Sequence, residues 1–218
     1  MKTYQYIFIM IYLPLLVLYL FSKTSGIFKR RAVNKITLAS LYLLCALYAF
    51  SLKEKNVPLV ILMIALIFSY LGDVMLLWSF KKGGYAFMTG NVIYCIYLFI
   101  IHYQYNLWQL SLVVIMISLL FSLFRYFVKA GILNLGGMKA FNVYMLSVIS
   151  QGSMGTVMAI FTGVSTCKVL GIGLLLFMIS DFFISFQNFY HKDSKLIKRC
   201  NSITYFTGMM LIAIYIGL

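Results

Sequence analysis

Residues 57–79 read VPLVILMIALIFSYLGDVMLLWS, twenty-three positions carrying a single charge, Asp73. A helix rises about 1.5 Å per residue, so such a run crosses the roughly 30 Å hydrocarbon core of a bilayer. Pro58 opens the run, where its missing N–H costs nothing. The apolar residues are continuous rather than alternating, which argues against a barrel strand. Working outward, seven further runs meet the same test: 4–21, 33–52, 84–102, 107–128, 139–161, 168–189 and 200–218. The 218 residues are 63% apolar and 10% charged, against about 25% charged in a soluble domain. The expected fold class is an all-α polytopic membrane bundle of about eight transmembrane helices. Residues 1–218 would form a single transmembrane domain, with no soluble domain.

A net charge of +14 invites a nucleic-acid reading, but the charges sort by loop. Lys23, Lys29, Arg30, Arg31, Lys35, Lys81, Lys82, Arg125, Lys129, Lys139, Lys192, Lys195, Lys198 and Arg199 fall on one side of the expected membrane; Lys2, Lys53, Lys55 and Lys168 fall on the other. This asymmetry orients helices and implies no nucleic-acid partner. It puts the basic loops in the cytoplasm and both termini on the non-cytoplasmic side, as in an inner bacterial membrane. A secondary attraction for anionic lipid head groups would follow from the same loops.

The first run does not read as a cleaved signal, since Ser22-Lys23-Thr24-Ser25 offers no small-residue cleavage site. Gly83-Gly84 is expected to separate the third and fourth helices, Gly136-Gly137 to precede the sixth, and Pro14 to kink the first. Gly152, Gly155, Gly171 and Gly173 would permit close helix contact. Cys45, Cys95, Cys167 and Cys200 lie in or beside separate helices, with no C-x-x-C pair, so neither a disulfide framework nor a metal site is expected. Phe68-Ser69-Tyr70-Leu71-Gly72-Asp73-Val74-Met75 in the third run is echoed by Leu176-Phe177-Met178-Ile179-Ser180-Asp181-Phe182-Phe183 in the seventh. Two four-helix halves in the same orientation would produce that spacing.

The chain has four acids. Glu54 and Asp193 fall in loops; Asp73 and Asp181 fall inside apolar runs. A carboxyl at a helix centre costs about 2.5–3.5 kcal/mol on insertion scales, so an acid kept there points to function. By the run boundaries, Asp73 lies roughly 9 Å and Asp181 roughly 12 Å from the cytoplasmic end. The pair is therefore expected to share one inward-opening cavity. Lys35, Asn91, Tyr144 and Tyr205 fall at similar levels, and Tyr94, Tyr144 and Tyr205 are potential hydrogen-bond donors to a phosphate or carboxylate. His102 and His191 read as interfacial. No G-x-S-x-G elbow appears, so a serine lipase is not indicated.

Gly72-Asp73 near the end of an apolar helix, followed by Gly84-x-x-Phe87-x-x-Gly90-Asn91-x-x-Tyr94, resembles the YhhN family of lysoplasmalogenase-like membrane proteins. Ser180-Asp181, the closing Thr204-Tyr205-Phe206 and Leu211-Ile212-Ala213 fit as well, and Lys35 fits the family's lysine. Asn91 stands where the family usually has His, and Met209 where it usually has Gln. The resemblance implies hydrolysis of the vinyl ether bond of a lysoplasmalogen, a lysophospholipid, to a fatty aldehyde and a glycerophospho-alcohol. No cofactor or metal is implied. Asp73 and Asp181 would be catalytic, with Lys35, Asn91, Tyr94, Tyr144 and Tyr205 binding substrate. Vinyl ether cleavage asks one acid to hold a proton and a second to be ionised, a division of labour that paired carboxyls achieve elsewhere. Spacing alone does not divide the roles; Lys35 tilts Asp73 toward the ionised one and Asp181 toward the acid.

Two other readings stand beside this one. A proton-coupled transporter or lipid-moving protein would employ both aspartates as a relay, and a scaffold protein would need neither. The oligomeric state is not legible.

Overall fold

A computed structural model describes residues 2–24, 28–104, 106–136, 139–190 and 194–218. They form eight long helices: α1 (Thr3–Thr24), α2 (Phe28–Ser51), α3 (Val57–Met75), α4 (Phe80–Leu98), α5 (Leu107–Lys129), α6 (Lys139–Phe161), α7 (Ser165–Phe189) and α8 (Lys195–Gly217). All eight are long and apolar enough to span a membrane, and the described residues contain no strand. The fold is an all-α polytopic bundle. His191 and Asp193 lie outside the described residues, as does Gly137.

Several boundaries differ from the sequence reading, each for a local reason. α2 begins at Phe28 rather than at 33, so Lys29, Arg30, Arg31 and Lys35 sit in its first turns. Hydropathy ends a run at a charge, whereas a helix continues and lets long basic side chains reach polar surroundings. Gly83-Gly84 does not separate α3 from α4. α3 ends at Met75, a turn covers 76–78, and Ser79 caps α4 by accepting the Lys82 N–H at 3.4 Å. Gly83 instead closes that corner: a Cβ there would stand 2.6 Å from Leu76 Cγ. α8 begins at Lys195, five residues before the expected start, behind a Ser194 cap. Pro14 lies within one continuous α1. Asn56 caps α3 by accepting from Leu59 N at 2.9 Å, with Pro58 in the first turn. α4 ends in a wider turn, Phe99–Tyr103, where the Gln104 N–H donates to the Phe99 carbonyl five residues back.

Lipid tails are as apolar as leucine, so helix pairing in a membrane depends on close packing and interhelical hydrogen bonds. Both are present. A Cβ on Gly208 of α8 would meet the Gly173 carbonyl of α7 at 2.7 Å, and one on Gly90 of α4 would meet the Ala65 carbonyl of α3 at 3.2 Å. Ala65 precedes Asp73 by the same eight residues that separate Gly173 from Asp181. The Tyr12 hydroxyl on α1 donates to the Phe206 carbonyl of α8, and Gln5 to that of Ile214, so the first and last helices are fastened together. The contacts map onto themselves under a shift of four helices: α1–α2, α2–α3 and α3–α4 recur as α5–α6, α6–α7 and α7–α8, and α4–α6 recurs as α8–α2. α5 is peripheral, touching α6 and the end of α4.

Candidate functional site

Asp73 lies two residues before the end of α3 and Asp181 eight before the end of α7. The early end of α3 makes Asp73 shallower along its helix than the sequence reading had it, roughly 3 Å from the terminus instead of 9 Å. Both side chains are nonetheless buried, 2% and 4% exposed.

Their surroundings differ. One oxygen of Asp73, Oδ1, is 3.1 Å from Lys35 Nζ, which also donates to the Asp73 carbonyl at 3.2 Å. The other oxygen, Oδ2, accepts from Tyr42 at 3.0 Å and from Tyr205 at 2.7 Å. α2, α3 and α8 thus converge on this carboxylate. Asp181 Oδ2 accepts from Tyr144 of α6 at 2.6 Å. Each acid takes a tyrosine from the helix that precedes its own, α2 before α3 and α6 before α7. Tyr205, bonded to Asp73, and Phe177, one helical turn before Asp181, belong to an aromatic cluster in which Phe87 packs edge-on against both at 5.9 Å. Gly72 makes room for it, since a Cβ there would fall 2.7 Å from the Phe87 ring.

Both carboxyls line a single cavity of about 650 Å³. Its wall draws on α1 to α4 and α6 to α8, near the ends joined by the basic loops; Tyr19, Lys23, Arg31, Lys35, Lys81 and Asn201 are among its polar residues, with Leu76, Met88, Phe141 and Ile184 among its apolar ones. Pockets of this size take most of a drug-sized ligand. A family model, described as the YhhN family, matches residues 30–216, nearly the whole chain. The chain belongs to the YhhN family. No curated protein and no solved structure matches it.

In this YhhN-family chain the remaining sequence-picked residues divide. Lys35, Tyr144 and Tyr205 line the cavity and bond an aspartate. Asn91 and Tyr94 are fully buried but are not among the described residues that line it. Asn91 donates to Ser147 Oγ at 3.3 Å across the α4–α6 contact, and Tyr94 pairs with Ser69 Oγ at 3.4 Å within the α3–α4 contact. His102 pairs with Gln109 at 2.7 Å near the far end of α4. Among the described residues no group of three His, Cys, Asp or Glu gathers to hold a metal.

Sequence reasoning passed over Tyr42, Lys23, Asn201 and Ser202. Tyr42 was within reach: it follows Lys35 by two helical turns and so shares its face. The contact of Lys23 on α1 with Asn201 and Ser202 on α8 is tertiary, and no local signal announces it.

Proposed function

We propose that this chain is a lysoplasmalogenase-type hydrolase that cleaves the vinyl ether bond of a lysophospholipid. The observation that carries this reading is the pair of dissimilar buried carboxyls facing one amphipathic cavity. Membership of the YhhN family supports the substrate class, and the bundle supports a substrate drawn from the membrane.

Asp181 is the acid. It transfers its proton to the vinyl carbon distal to the ether oxygen, and the adjacent carbon becomes an oxocarbenium ion. Tyr144 holds the Asp181 carboxyl in place through its 2.6 Å hydrogen bond. Asp73 is the carboxylate. Lys35 and two phenols stabilise its charge, and it faces the cation while accepting a proton from the water that adds to it. The hemiacetal so formed breaks its C–O bond to glycerol, giving the aldehyde and a free hydroxyl. Water is consumed and the proton returns to Asp181. The aromatic cluster of Phe87, Phe177 and Tyr205 limits access of other water to the cation.

The test is incubation of purified protein with a lysoplasmalogen and, separately, with its saturated alkyl ether analogue. Aldehyde released from the first alone is the expected result; release from neither defeats the reading. The repetition of packing between the halves favours a second reading, a proton-coupled transporter. Proton-dependent uptake into proteoliposomes without aldehyde formation selects it.

A further inference from the structure

We propose that Lys23, Asn201 and Ser202 form a phosphate subsite at the mouth of the cavity, holding a lysolipid head group while the linkage next to the glycerol reaches the aspartates. This rests on the lysophospholipid reading and adds the residues that recognise the head group.

Lys23 closes α1 and lines the cavity, yet it lies outside the stretch that the family model matches. Its Nζ donates to Ser202 Oγ at 2.6 Å and to Asn201 Oδ1 at 3.2 Å, and stands 5.9 Å from the centre of the Tyr19 ring. All three partners are neutral. A lysine ammonium has three donors; among the described residues Lys23 Nζ meets two neutral acceptors and no carboxylate, which leaves a donor without a partner and no anion beside it. The contrast with Lys35 is direct, since that amine neutralises Asp73. An amine aimed by neutral groups in a largely apolar bundle is arranged for an anion that arrives from elsewhere and favours its charged form.

Asn201 connects this cation to the chemistry. Its amide nitrogen donates to the Ser180 carbonyl at 2.8 Å, the residue next to Asp181, while its oxygen receives Lys23. The subsite is therefore held in fixed relation to the acid. Lys81 lines the same cavity from α4, and Leu76, Leu77 and Met88 give it an apolar wall. A charged end beside an apolar wall matches a single-chain phospholipid.

Binding to an uncleavable ligand separates this proposal from the reaction itself. The probes are a 1-O-alkyl lysophosphoethanolamine and the phosphate-free 1-O-alkylglycerol of the same chain, titrated against the full chain in detergent. The native chain is expected to bind the phospholipid at least about tenfold more tightly, as a charge-assisted contact would give. Lys23→Gln brings that ratio toward one, and Lys23→Arg keeps most of it. Should Lys23→Gln fail to fold, Ser202→Ala, which removes the shorter of the two contacts that aim the amine, lowers the ratio severalfold. A native ratio near one, or a ratio unmoved by whichever of these variants folds, overturns the proposal. Competition by millimolar inorganic phosphate as strong as that by the lipid would overturn the head-group assignment in favour of a free-phosphate site. An intact ratio in a protein that releases no aldehyde defeats the hydrolase reading alone.

Discussion

The two halves of this bundle offer the same side chain from the same kind of helix and surround it differently. Asp73 on α3 meets a lysine and two tyrosines drawn from α2 and α8. Asp181 on α7 meets one tyrosine from α6. A buried carboxylate beside an ammonium is compensated; Asp181, which among the described residues has neutral donors and no cation, has no ionic compensation. Similar helix packing with dissimilar partners would let one scaffold supply both the acid and the carboxylate of the proposed reaction.

The largest effects should come from deleting either side of that pairing. Asp181→Asn is expected to lower aldehyde release by about 10²–10⁴-fold, the usual contribution of a positioned general acid, and Asp73→Asn by a similar factor. Initial rates on lysoplasmalogen, in protein that elutes as the native chain does, check both. Turnover within a factor of two of native in either variant would remove the acid pair from the mechanism.

The next effect separates the halves. Lys35→Met leaves Asp73 buried without its cation, and breaking such a pair costs about 3–5 kcal/mol. The variant should show a lowered unfolding midpoint as well as lost turnover. Adding Asp73→Asn to it should recover much of the stability and none of the activity. No stability loss in Lys35→Met would mean that the ion pair is not what holds Asp73.

Much of this was legible beforehand, and the boundary between what was and was not is physical. Eight apolar runs and two intramembrane acids are properties of single segments, so hydropathy finds them. Lys35 and Tyr144 were within reach because position along a helix predicts depth. Depth does not predict azimuth: Asn91 and Tyr94 lie at a plausible level but point into the α4–α6 and α3–α4 contacts. The same limit concealed Lys23, whose partners come from the opposite end of the chain. Gly83-Gly84 misled for a different reason. Glycine pairs often break helices, but here Gly83 is needed for the close approach of Leu76, and Ser79 starts the helix.

A smaller change tests the asymmetry of the tyrosines. Tyr144→Phe removes the phenol bonded to Asp181, whereas Tyr42→Phe removes one of three side-chain partners of Asp73. Asp181 becomes charged as it gives up its proton, and a hydrogen bond to a charged group is worth about 1.5–3 kcal/mol, so Tyr144→Phe should reduce kcat by about 10–100-fold; Asp73 keeps Lys35 and Tyr205, so Tyr42→Phe should reduce it by clearly less. Equal losses would show that Asp73 is no better supported than Asp181.

The smallest expected effect concerns Asn91, and it decides whether depth or cavity lining identifies a site residue. Its amide donates at 3.3 Å to Ser147, whose own hydroxyl donates to the Tyr144 carbonyl at 2.7 Å. Asn91 Oδ1 has no partner among the described residues. Asn91→Ala therefore removes one long hydrogen bond together with an unpaired polar atom, two changes of opposite sign. The net change in stability should stay within about 1 kcal/mol. Because the side chain is not among those described as lining the cavity, kcat and KM for lysoplasmalogen should each stay within about threefold of native. A loss of kcat by tenfold or more at unchanged stability would contradict this. It would mean that the α4–α6 contact transmits Asn91 to Tyr144 and so to the acid, placing Asn91 among the positioning residues.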